Sequence, residues 1–333
     1  MKKLINSPEN VVAESVEGFA LAHSDIVTRA TDPLFVARKD KKNDGKVAIV
    51  SGGGSGHEPL HAGFVGHGML DAAVPGAMFT SPTPDAIQAA TEAVNAGAGV
   101  LYIVKNYTGD VLNFDTAAEL AEFDDIEVSQ VIVDDDVAVE DSTFTAGRRG
   151  VAGTLLVEKL AGAAAERGDD LAAVTEAAKK VVENTATMGA ALTACTVPHV
   201  GKPSFDLSDD EVELGVGIHG EPGRKEIPLV SADDVTDHLL DPIVADLELK
   251  EGERTIVVVN GMGGTPASEL YVVYRRVSQR LAEIGVTIER SLVGNFVTSL
   301  DMAGCSVSIM RADDDDLALF DAPCHTAALR QGV

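Results

Sequence analysis

Two histidines stand among glycines in distant parts of the sequence. His57 ends the run Ser51-Gly-Gly-Gly-Ser-Gly-His57, and His219 stands between Gly217-Ile218 and Gly220. Imidazole serves as a nucleophile or as an acid/base near neutral pH, and glycines leave room beside it for a ligand. The pattern indicates two imidazoles set up for chemistry. The alternative is structural in both places: a tight turn beside a packed histidine, or a histidine that ends a strand.

The run from Gly52 to His57 fits none of the known glycine fingerprints. A dinucleotide loop G-x-G-x-x-G starting at Gly52 requires glycine where His57 stands, and the nucleophile elbow G-x-S-x-G fails at the same position. No Walker loop occurs in the chain. The sequence therefore predicts a loop without side chains, whose outward N–H groups a small ligand can approach closely.

Lys105 ends the next predicted strand, residues 99–105, and Asp110 follows in the loop after it. Loops that follow parallel strands gather at one edge of the sheet, so both residues are expected near the first glycine run. A carboxylate and an imidazole placed there can share acid/base work. The structural alternative is that Asp110 caps the following helix and that Lys105 is a surface charge. The run Asp134-Asp135-Asp136 is not expected to hold one metal ion, because successive strand residues point to opposite faces.

Strand-like and helix-like segments alternate through most of the chain, which predicts an α/β protein. We expect two α/β domains: residues 1–185 as a three-layer parallel-sheet domain, and residues 186–333 as a smaller mixed-sheet domain that contains His219. The predicted strands are residues 46–50, 99–105, 126–133, 255–259, 286–293 and 306–310, with another that ends on His219. The predicted helices are residues 82–95, 149–167, 169–184 and 266–283, with another that follows Asp110 and reaches Phe123.

The charge of the chain restricts its partners. The 333 residues include 53 acidic and 26 basic side chains, for a formal net charge of −27. Such a surface repels nucleic acid and anionic lipid, so neither is an expected partner. No uninterrupted apolar run approaches the ~20 residues of a membrane span, and the odd set of three unpaired cysteines suits a reducing, cytoplasmic location. A halophilic host would explain the acidic excess, as would an ordinary acidic cytosolic protein.

Several long motifs stand along the chain beside the opening residues 1–6: Ser51–Pro59, Phe79–Asp85, Lys105–Asp110, Asp141–Gly150, Gly201–Phe205, Gly215–Pro222 and Thr298–Met302. They occur in the order found in dihydroxyacetone kinases, and the chain resembles the substrate-binding subunit of that family from end to end. The segment after Leu229 is shorter than in the family pattern. Details of the second domain and of the dimer surface are therefore expected to differ from the family, whereas the site is not.

The resemblance implies roles that the residues alone leave open. It implies that His219 attacks the C2 carbonyl of dihydroxyacetone and holds the ketone as a hemiaminal. It places the family's acid/base residues on His57 and Asp110, so that the two histidines would belong to one site. The substrate contacts that it implies are Gly54, Ser55, Gly56, His57, Lys105, Asp110 and His219. No metal ligand is expected in this chain.

The resemblance also implies how the phosphoryl group arrives. Family members that use ATP directly carry a further helical nucleotide domain, and this chain ends soon after Thr326. The expectation is a phosphoenolpyruvate-dependent relay, in which an L subunit carries ADP and Mg²⁺ and an M subunit rephosphorylates it. The K-type chain itself is expected to be a homodimer without a nucleotide. Two alternatives stay open: a non-catalytic dihydroxyacetone-binding regulator, and the substrate subunit of an ATP-dependent kinase whose nucleotide domain is a separate chain.

Overall fold

The computed structural model describes residues 2–40, 45–139 and 146–332. They form two compact units. The N-terminal unit comprises Lys2–Val133, Thr154–Val182 and the residues from Ala318 onward, and the C-terminal unit comprises Asp134–Gly153 and Glu183–Leu317. The predicted boundary between residues 185 and 186 lies close to the observed boundary between Val182 and Glu183. The units are not continuous in sequence, however, because residues 134–153 belong to the C-terminal unit and the residues from Ala318 onward belong to the N-terminal unit. Of the motif Asp141–Gly150, the first five residues lie outside the described ranges.

The bounds of the elements in the described residues are as follows. The helices are α1 (Val11–Ala22), α2 (Pro84–Val94), α3 (Thr108–Phe123), α4 (Thr154–Arg167), α5 (Leu171–Glu183), α6 (Ala232–Asp246), α7 (Ala267–Glu283) and α8 (Asp314–Asp321), with a 3₁₀ turn at Ala62–Phe64. The strands are β1 (Val27–Thr31), β2 (Leu34–Arg38), β3 (Ala48–Ser55), β4 (Gly66–His67), β5 (Ala72–Met78), β6 (Val100–Lys105), β7 (Val128–Val133), β8 (Thr185–Ala191), β9 (Glu211–Leu214), β10 (Lys225–Pro228), β11 (Arg254–Gly261), β12 (Thr287–Gly294), β13 (Gly304–Arg311), β14 (Cys324–Thr326) and β15 (Arg330–Gln331).

The N-terminal unit is built on a six-stranded sheet with the order β1-β2-β5-β3-β6-β7. Strands β5, β3, β6 and β7 are parallel, and β1 and β2 form an antiparallel edge. Val50 and Tyr102 face one side, where they pack with residues of α2 and α3 such as Phe114. Ser51, the neighbour of Val50, faces the opposite side, which α4 covers with Glu158. Helices on both faces make three layers, so the predicted α/β class is confirmed.

The glycine run differs from its prediction as a loop. Gly52, Gly53 and Gly54 continue β3 and pair with β5 in parallel register. A Cβ atom on Gly52 would lie 2.7 Å from the carbonyl oxygen of Val74, and one on Gly54 would lie 2.5 Å from the amide nitrogen of Thr80. Side chains are therefore absent because neighbouring backbone approaches closely, and the segment stays extended because the sheet supplies its hydrogen bonds.

The C-terminal unit contains the second sheet, with the order β10-β9-β8-β13-β11-β12. All its neighbouring pairs are antiparallel except β11 and β12, so the sheet is mixed, as predicted. Leu239 and Ile243 of α6, with Leu270 and Val277 of α7, pack on buried strand residues such as Val257. This apolar layer fixes the strand ends from which the loops of the unit begin.

Several predicted element boundaries are wrong, among them the start of α4, which is Thr154 and not residue 149. The strand expected to end on His219 ends at Leu214, because Gly215, with φ +77°, turns the chain out of the extended conformation. Helix α2 starts at Pro84 rather than at Pro82, since the second proline of Ser-Pro-Thr-Pro occupies the first turn. Helix α3 starts at Thr108, so Asp110 lies inside its first turn and is not the N-cap. No helix in the described ranges is both long and apolar enough to cross a membrane.

Candidate active site

Lys105 is the last residue of β6, and its side chain is completely buried. Its ammonium group contacts the ring nitrogen Nε2 of His61 at 2.6 Å and donates to the carbonyl oxygen of Gly52 at 3.3 Å. The carboxylate oxygen Oδ2 of Asp110 lies 4.0 Å from Nζ. That separation is too long for a hydrogen bond. Within the described part of the chain, the third N–H of Lys105 therefore remains for a ligand oxygen.

Asp110 projects from the first turn of α3 and is 2 % exposed. Burial raises the pKa of this carboxyl group, while the charge of Lys105 and a hydrogen bond from Ser81 lower it in part. The carboxylate oxygen Oδ1 is buried and has no hydrogen-bond partner among the described residues. A buried carboxylate oxygen with unused acceptor capacity beside an ammonium group is suited to take a proton from a bound hydroxyl.

His57 follows the glycine run and is fully buried. Its ring stacks on Phe79, with the ring centroids 5.1 Å apart and an interplanar angle of 21°. Gly56, with φ +111°, brings the backbone close to this ring, since a Cβ there would lie 2.6 Å from Cε1 of Phe79. The backbone N–H of Gly56 donates to both carboxylate oxygens of Glu58, at 3.1 and 3.2 Å. The glycine thus allows the stacked position that holds the imidazole.

His61 and Glu158 complete a buried polar cluster that the sequence analysis missed. Nδ1 of His61 lies 2.5 Å from Oε1 of Glu158 and 3.0 Å from the hydroxyl of Ser51. Ser51 in turn donates to the carbonyl oxygen of Ile103 at 2.7 Å. The spacing His57-x-x-x-His61 was the only sequence signal for His61. Glu158 gave none, because it lies about a hundred residues away on a predominantly apolar helix.

Burial dominates the electrostatics of this cluster. It lowers the pKa of Lys105, which Asp110 and Glu158 raise in part. Burial, with the charges of Lys105 and His57, lowers the pKa of His61 well below its usual range. The pKa of Glu158 is raised well above its usual range by burial, although Lys105 and Ser51 oppose the shift. His61 is therefore a neutral imidazole between an ammonium group and a carboxyl group.

A cavity of about 420 Å³ opens beside this cluster within the N-terminal unit. The C-terminal end of β3, His61 and residues of α1 line it. The lining residues that matter here are Gly53, Gly54, Ser55 and His61, with Phe19 on the helix side. Gly53 also faces Lys105, since a Cβ there would lie 2.4 Å from Nζ. The absence of a side chain at Gly53 therefore leaves room for the ammonium group of Lys105 beside the cavity.

His219 belongs to the C-terminal unit, where an ionic network fixes its backbone. Its N–H donates to Oε2 of Glu221 at 2.9 Å, and Arg149 donates to Oε1 of Glu221 at 3.1 Å. Arg149 also donates to the carbonyl oxygen of Gly215 at 2.8 Å and to Oδ2 of Asp136 at 2.6 Å. The His219 side chain is partly buried. The network holds an otherwise irregular glycine segment in one conformation.

The predicted site residues are therefore found in two places. Lys105 and Asp110 lie together as an ion pair, and His57 lies close enough to His61 to lower its pKa. Gly54, Ser55 and Gly56 lead from β3 to His57. The bracing residues Arg149 and Glu221 were not predicted as such, although both stand in the motifs used for recognition. Among the described residues, no group of three or more acidic, histidine or cysteine side chains is arranged to hold a metal ion.

Comparison with known proteins identifies the family of this arrangement. Residues 17–328 match the family described as Dak1 domain. The chain is 50% identical over 356 residues to the "PEP-dependent dihydroxyacetone kinase, dihydroxyacetone-binding subunit DhaK" of Escherichia coli (strain K12), and the alignment covers all of both chains. The crystal structure of the dihydroxyacetone kinase of C. freundii matches with a TM-score of 0.91 and 36% identity, over 99% of this chain and 60% of that longer one.

A regulatory protein is also similar in structure. The dihydroxyacetone kinase operon co-activator Dha-DhaQ matches with a TM-score of 0.91 and 34% identity, over 96% of this chain and 98% of that one. The same fold is thus used both in kinases and in a co-activator, and fold alone does not separate the two activities. With a family match over residues 17–328 and a full-length relative at 50% identity, the chain belongs to the Dak1 domain family.

Proposed function

We propose that this chain is the dihydroxyacetone-binding subunit of a dihydroxyacetone kinase, which holds the ketone while a partner phosphorylates it. The observation that carries the proposal is the buried Lys105–Asp110 pair, which offers an N–H donor and an unused carboxylate oxygen next to a glycine-bordered cavity. The 50% identity to a subunit named for this activity supports the same assignment. A polyol or ketone of three carbons fits the donors and acceptors that this cluster presents.

His219 captures the substrate in this proposal. A ring nitrogen of the neutral imidazole attacks C2 of dihydroxyacetone, so that a carbon–nitrogen bond forms while the π bond of the carbonyl group breaks. The carbonyl oxygen takes up a proton and becomes a hydroxyl group, and the other ring nitrogen releases its proton. The product is a hemiaminal, which reverses by the opposite steps. Only a carbonyl compound can react in this way, so His219 selects ketones and aldehydes over glycerol. The brace from Glu221 and Arg149 supports this role by fixing the backbone of His219.

His57 and Asp110 are the candidate bases for the proton of the reacting hydroxyl group. As the hydroxyl oxygen attacks phosphorus, its proton passes to one of these two bases, and Lys105 steadies the negative charge that develops on oxygen. Gly54, Ser55 and Gly56 complete the substrate contacts through backbone groups. Phosphoryl transfer requires positioning and charge stabilisation above all, and these residues supply both.

The phosphoryl donor is carried by a partner in this proposal. An L subunit with bound ADP and Mg²⁺ passes the phosphoryl group on, and an M subunit rephosphorylates it, so this chain needs no nucleotide of its own. The proposed chain is a cytoplasmic homodimer. The relative from Escherichia coli is named as phosphoenolpyruvate-dependent, which favours this relay over direct use of ATP.

Native mass spectrometry of the purified chain with dihydroxyacetone tests the proposal. We expect one substrate mass per chain, no gain with glycerol, and loss of the gain in His219→Ala. The matched control is His199→Ala, which removes another histidine of the C-terminal unit outside the glycine segment. A gain that persists in His219→Ala would contradict the hemiaminal, and its absence from the unmodified chain would contradict the substrate class.

The co-activator similarity supports one competing function, a regulator that binds dihydroxyacetone without phosphorylating it. A regulator needs His219 for capture but has no use for an acid/base pair. The retained Asp110 and His57 favour the kinase subunit. Formation of dihydroxyacetone phosphate in the presence of a phosphorylated L subunit decides between the two, because a regulator would form the adduct and give no product.

A further inference from the structure

The cluster behind Lys105 suggests how its charge and direction are controlled. The side chain of Lys105 is fully buried, and Glu158 of α4 acts on it from across the layer. Three titratable groups interact with it: Asp110 from α3, Glu158 from α4, and His61 from the segment after β3, and His57 acts in turn on His61. Of these, His61 makes the shortest contact with the ammonium nitrogen, at 2.6 Å.

The direction of each hydrogen bond follows from the chemistry of the groups. An ammonium group has donors only, so Nε2 of His61 accepts from Lys105. A neutral imidazole with an accepting Nε2 carries its hydrogen on Nδ1, which lies 2.5 Å from Oε1 of Glu158. The hydroxyl hydrogen of Ser51 is used on the carbonyl oxygen of Ile103, so Ser51 oxygen also accepts from Nδ1. One tautomer of His61 satisfies every contact.

We propose that His61 and Glu158 are positioning residues that keep Lys105 charged and aimed beside Asp110. They act through Lys105 rather than on the substrate. The inference rests on the proposed function, in which Lys105 contacts the ketone. When Glu158 is ionised it raises the pKa of Lys105, and in either protonation state its Oε1 accepts from His61 and holds that ring against the ammonium group.

Glu158 needs such a partner for its own burial. Its side chain is completely buried on α4, and its oxygen Oε2 has no hydrogen-bond partner among the described residues. An isolated buried carboxylate is strongly unfavourable, whereas one hydrogen-bonded through an imidazole to an ammonium group is compensated. A purely space-filling role would be met by an apolar residue of similar size, as at most other buried positions of α4.

The test is a titration of Lys105 in the full chain, followed by NMR of ¹³Cε-labelled lysine and assigned by the signal lost in Lys105→Met. Glu158→Gln removes the charge and keeps the shape. We expect it to lower the titration midpoint of Lys105 by about one pH unit, since a lost negative neighbour favours the neutral amine. Glu166→Gln is the matched control, because Glu166 is buried on the same helix but pairs with Arg38.

An unchanged midpoint in Glu158→Gln, or an equal shift in Glu166→Gln, would overturn the inference. A second measurement needs no variant, in case Glu158→Gln fails to fold. Imidazole ¹⁵N signals of the unmodified chain should give His61 as the neutral Nδ1–H tautomer between about pH 5 and 8, the range in which proteins tend to be most stable. A charged His61 or the Nε2–H tautomer would be incompatible with the proposed contacts.

The adduct with dihydroxyacetone links this cluster to function. As the pH is raised, we expect Glu158→Gln to lose the adduct at a lower pH than the unmodified chain, because its Lys105 loses the proton earlier. Glu166→Gln should lose the adduct at the same pH as the unmodified chain. A chain that forms no adduct at any pH contradicts the proposed function, while the lysine titration still decides the role of Glu158. Equal pH profiles for the unmodified chain and Glu158→Gln would contradict the inference alone.

Discussion

The reactivity of individual residues in this site depends on their burial beside a group of opposite charge. Asp110 is a buried carboxylate whose pKa is raised by burial and lowered in part by Lys105, which makes it a stronger proton acceptor than an exposed aspartate. Lys105 is compensated by Asp110 on one side and by Glu158, through His61, on the other. Because both carboxylates act on one ammonium group, each substitution in the cluster is expected to change the others' titration.

Asp110→Asn is predicted to keep the dihydroxyacetone adduct and to slow phosphorylation by on the order of 10²-fold or more, the usual scale for a lost acid/base group. Asparagine keeps the size of the side chain but cannot accept the proton. Formation of dihydroxyacetone phosphate with the L subunit measures the rate. Asp115→Asn, an exposed position on the same helix that bonds Gln130, is the control. Unchanged turnover in Asp110→Asn would show that Asp110 has only a structural role in α3.

At the scale of elements, strand β3 contains the glycine run, and helix α4 contains Glu158, the ionisable residue on the other side of the cluster. Gly53 lies on the extended strand, and the side chain of Lys105 crosses the space where its Cβ would stand. On the opposite side of the cluster, Ser51 and His61 connect β3 and its following turn to Glu158 of α4. The sheet and the helix thus fix the two ends of one hydrogen-bonded chain.

Gly53→Ala is predicted to fold and to lose activity. The new methyl group would lie 2.4 Å from Nζ of Lys105, so the ammonium group must move away from His61 and Asp110. A displacement of that size costs on the order of 10² in phosphorylation rate. Gly18→Ala on α1 is the control, because nothing lies within 4 Å of its added Cβ. Its helix should become more stable by up to ~1 kcal/mol. Full activity in Gly53→Ala would show that Lys105 is not held in place.

For the molecule as a whole, the most unusual property is its large negative net charge. The chain has 53 acidic and 26 basic side chains, and many acidic groups are exposed. Several pair at the surface, as Asp233 does with Arg275 and Asp237 with Arg276, but each such surface pair contributes little to stability. The unpaired excess repels itself, and dissolved salt weakens that repulsion because the screening length falls to ~3 Å at 1 M.

The thermal unfolding midpoint is predicted to rise between about 0.05 M and 2 M KCl, a range over which the screening length falls several-fold. Heat unfolding followed by circular dichroism measures it, and sucrose at matched osmolality separates screening from the general exclusion of a solute. A midpoint that stays level or falls in KCl would contradict a halophilic adaptation of the surface. The adduct with dihydroxyacetone should change little, because the Lys105 cluster is buried and poorly screened.

The sequence by itself determined the α/β class, about half of the strands, most of the helices, and the residues His57, Lys105, Asp110 and His219 as candidates. Periodicity and turn residues act locally, and the motifs of a family are linear, so both can be read along the chain. The expected roles of the four candidates remain proposals. The boundary errors arose where one residue decides the local conformation, as Gly215 does at the end of β9.

Only the tertiary structure decided what surrounds these residues. The glycine run became a strand because β5 lies beside it, and the close approach of Val74 explains why side chains are absent. His61 and Glu158 became neighbours of Lys105 because β3, β6 and α4 bring positions 61, 105 and 158 together. Burial, which raises or lowers each pKa in the cluster, is a property of the packed layers. No local pattern of residues carries that information, because the groups that exclude water come from distant parts of the chain.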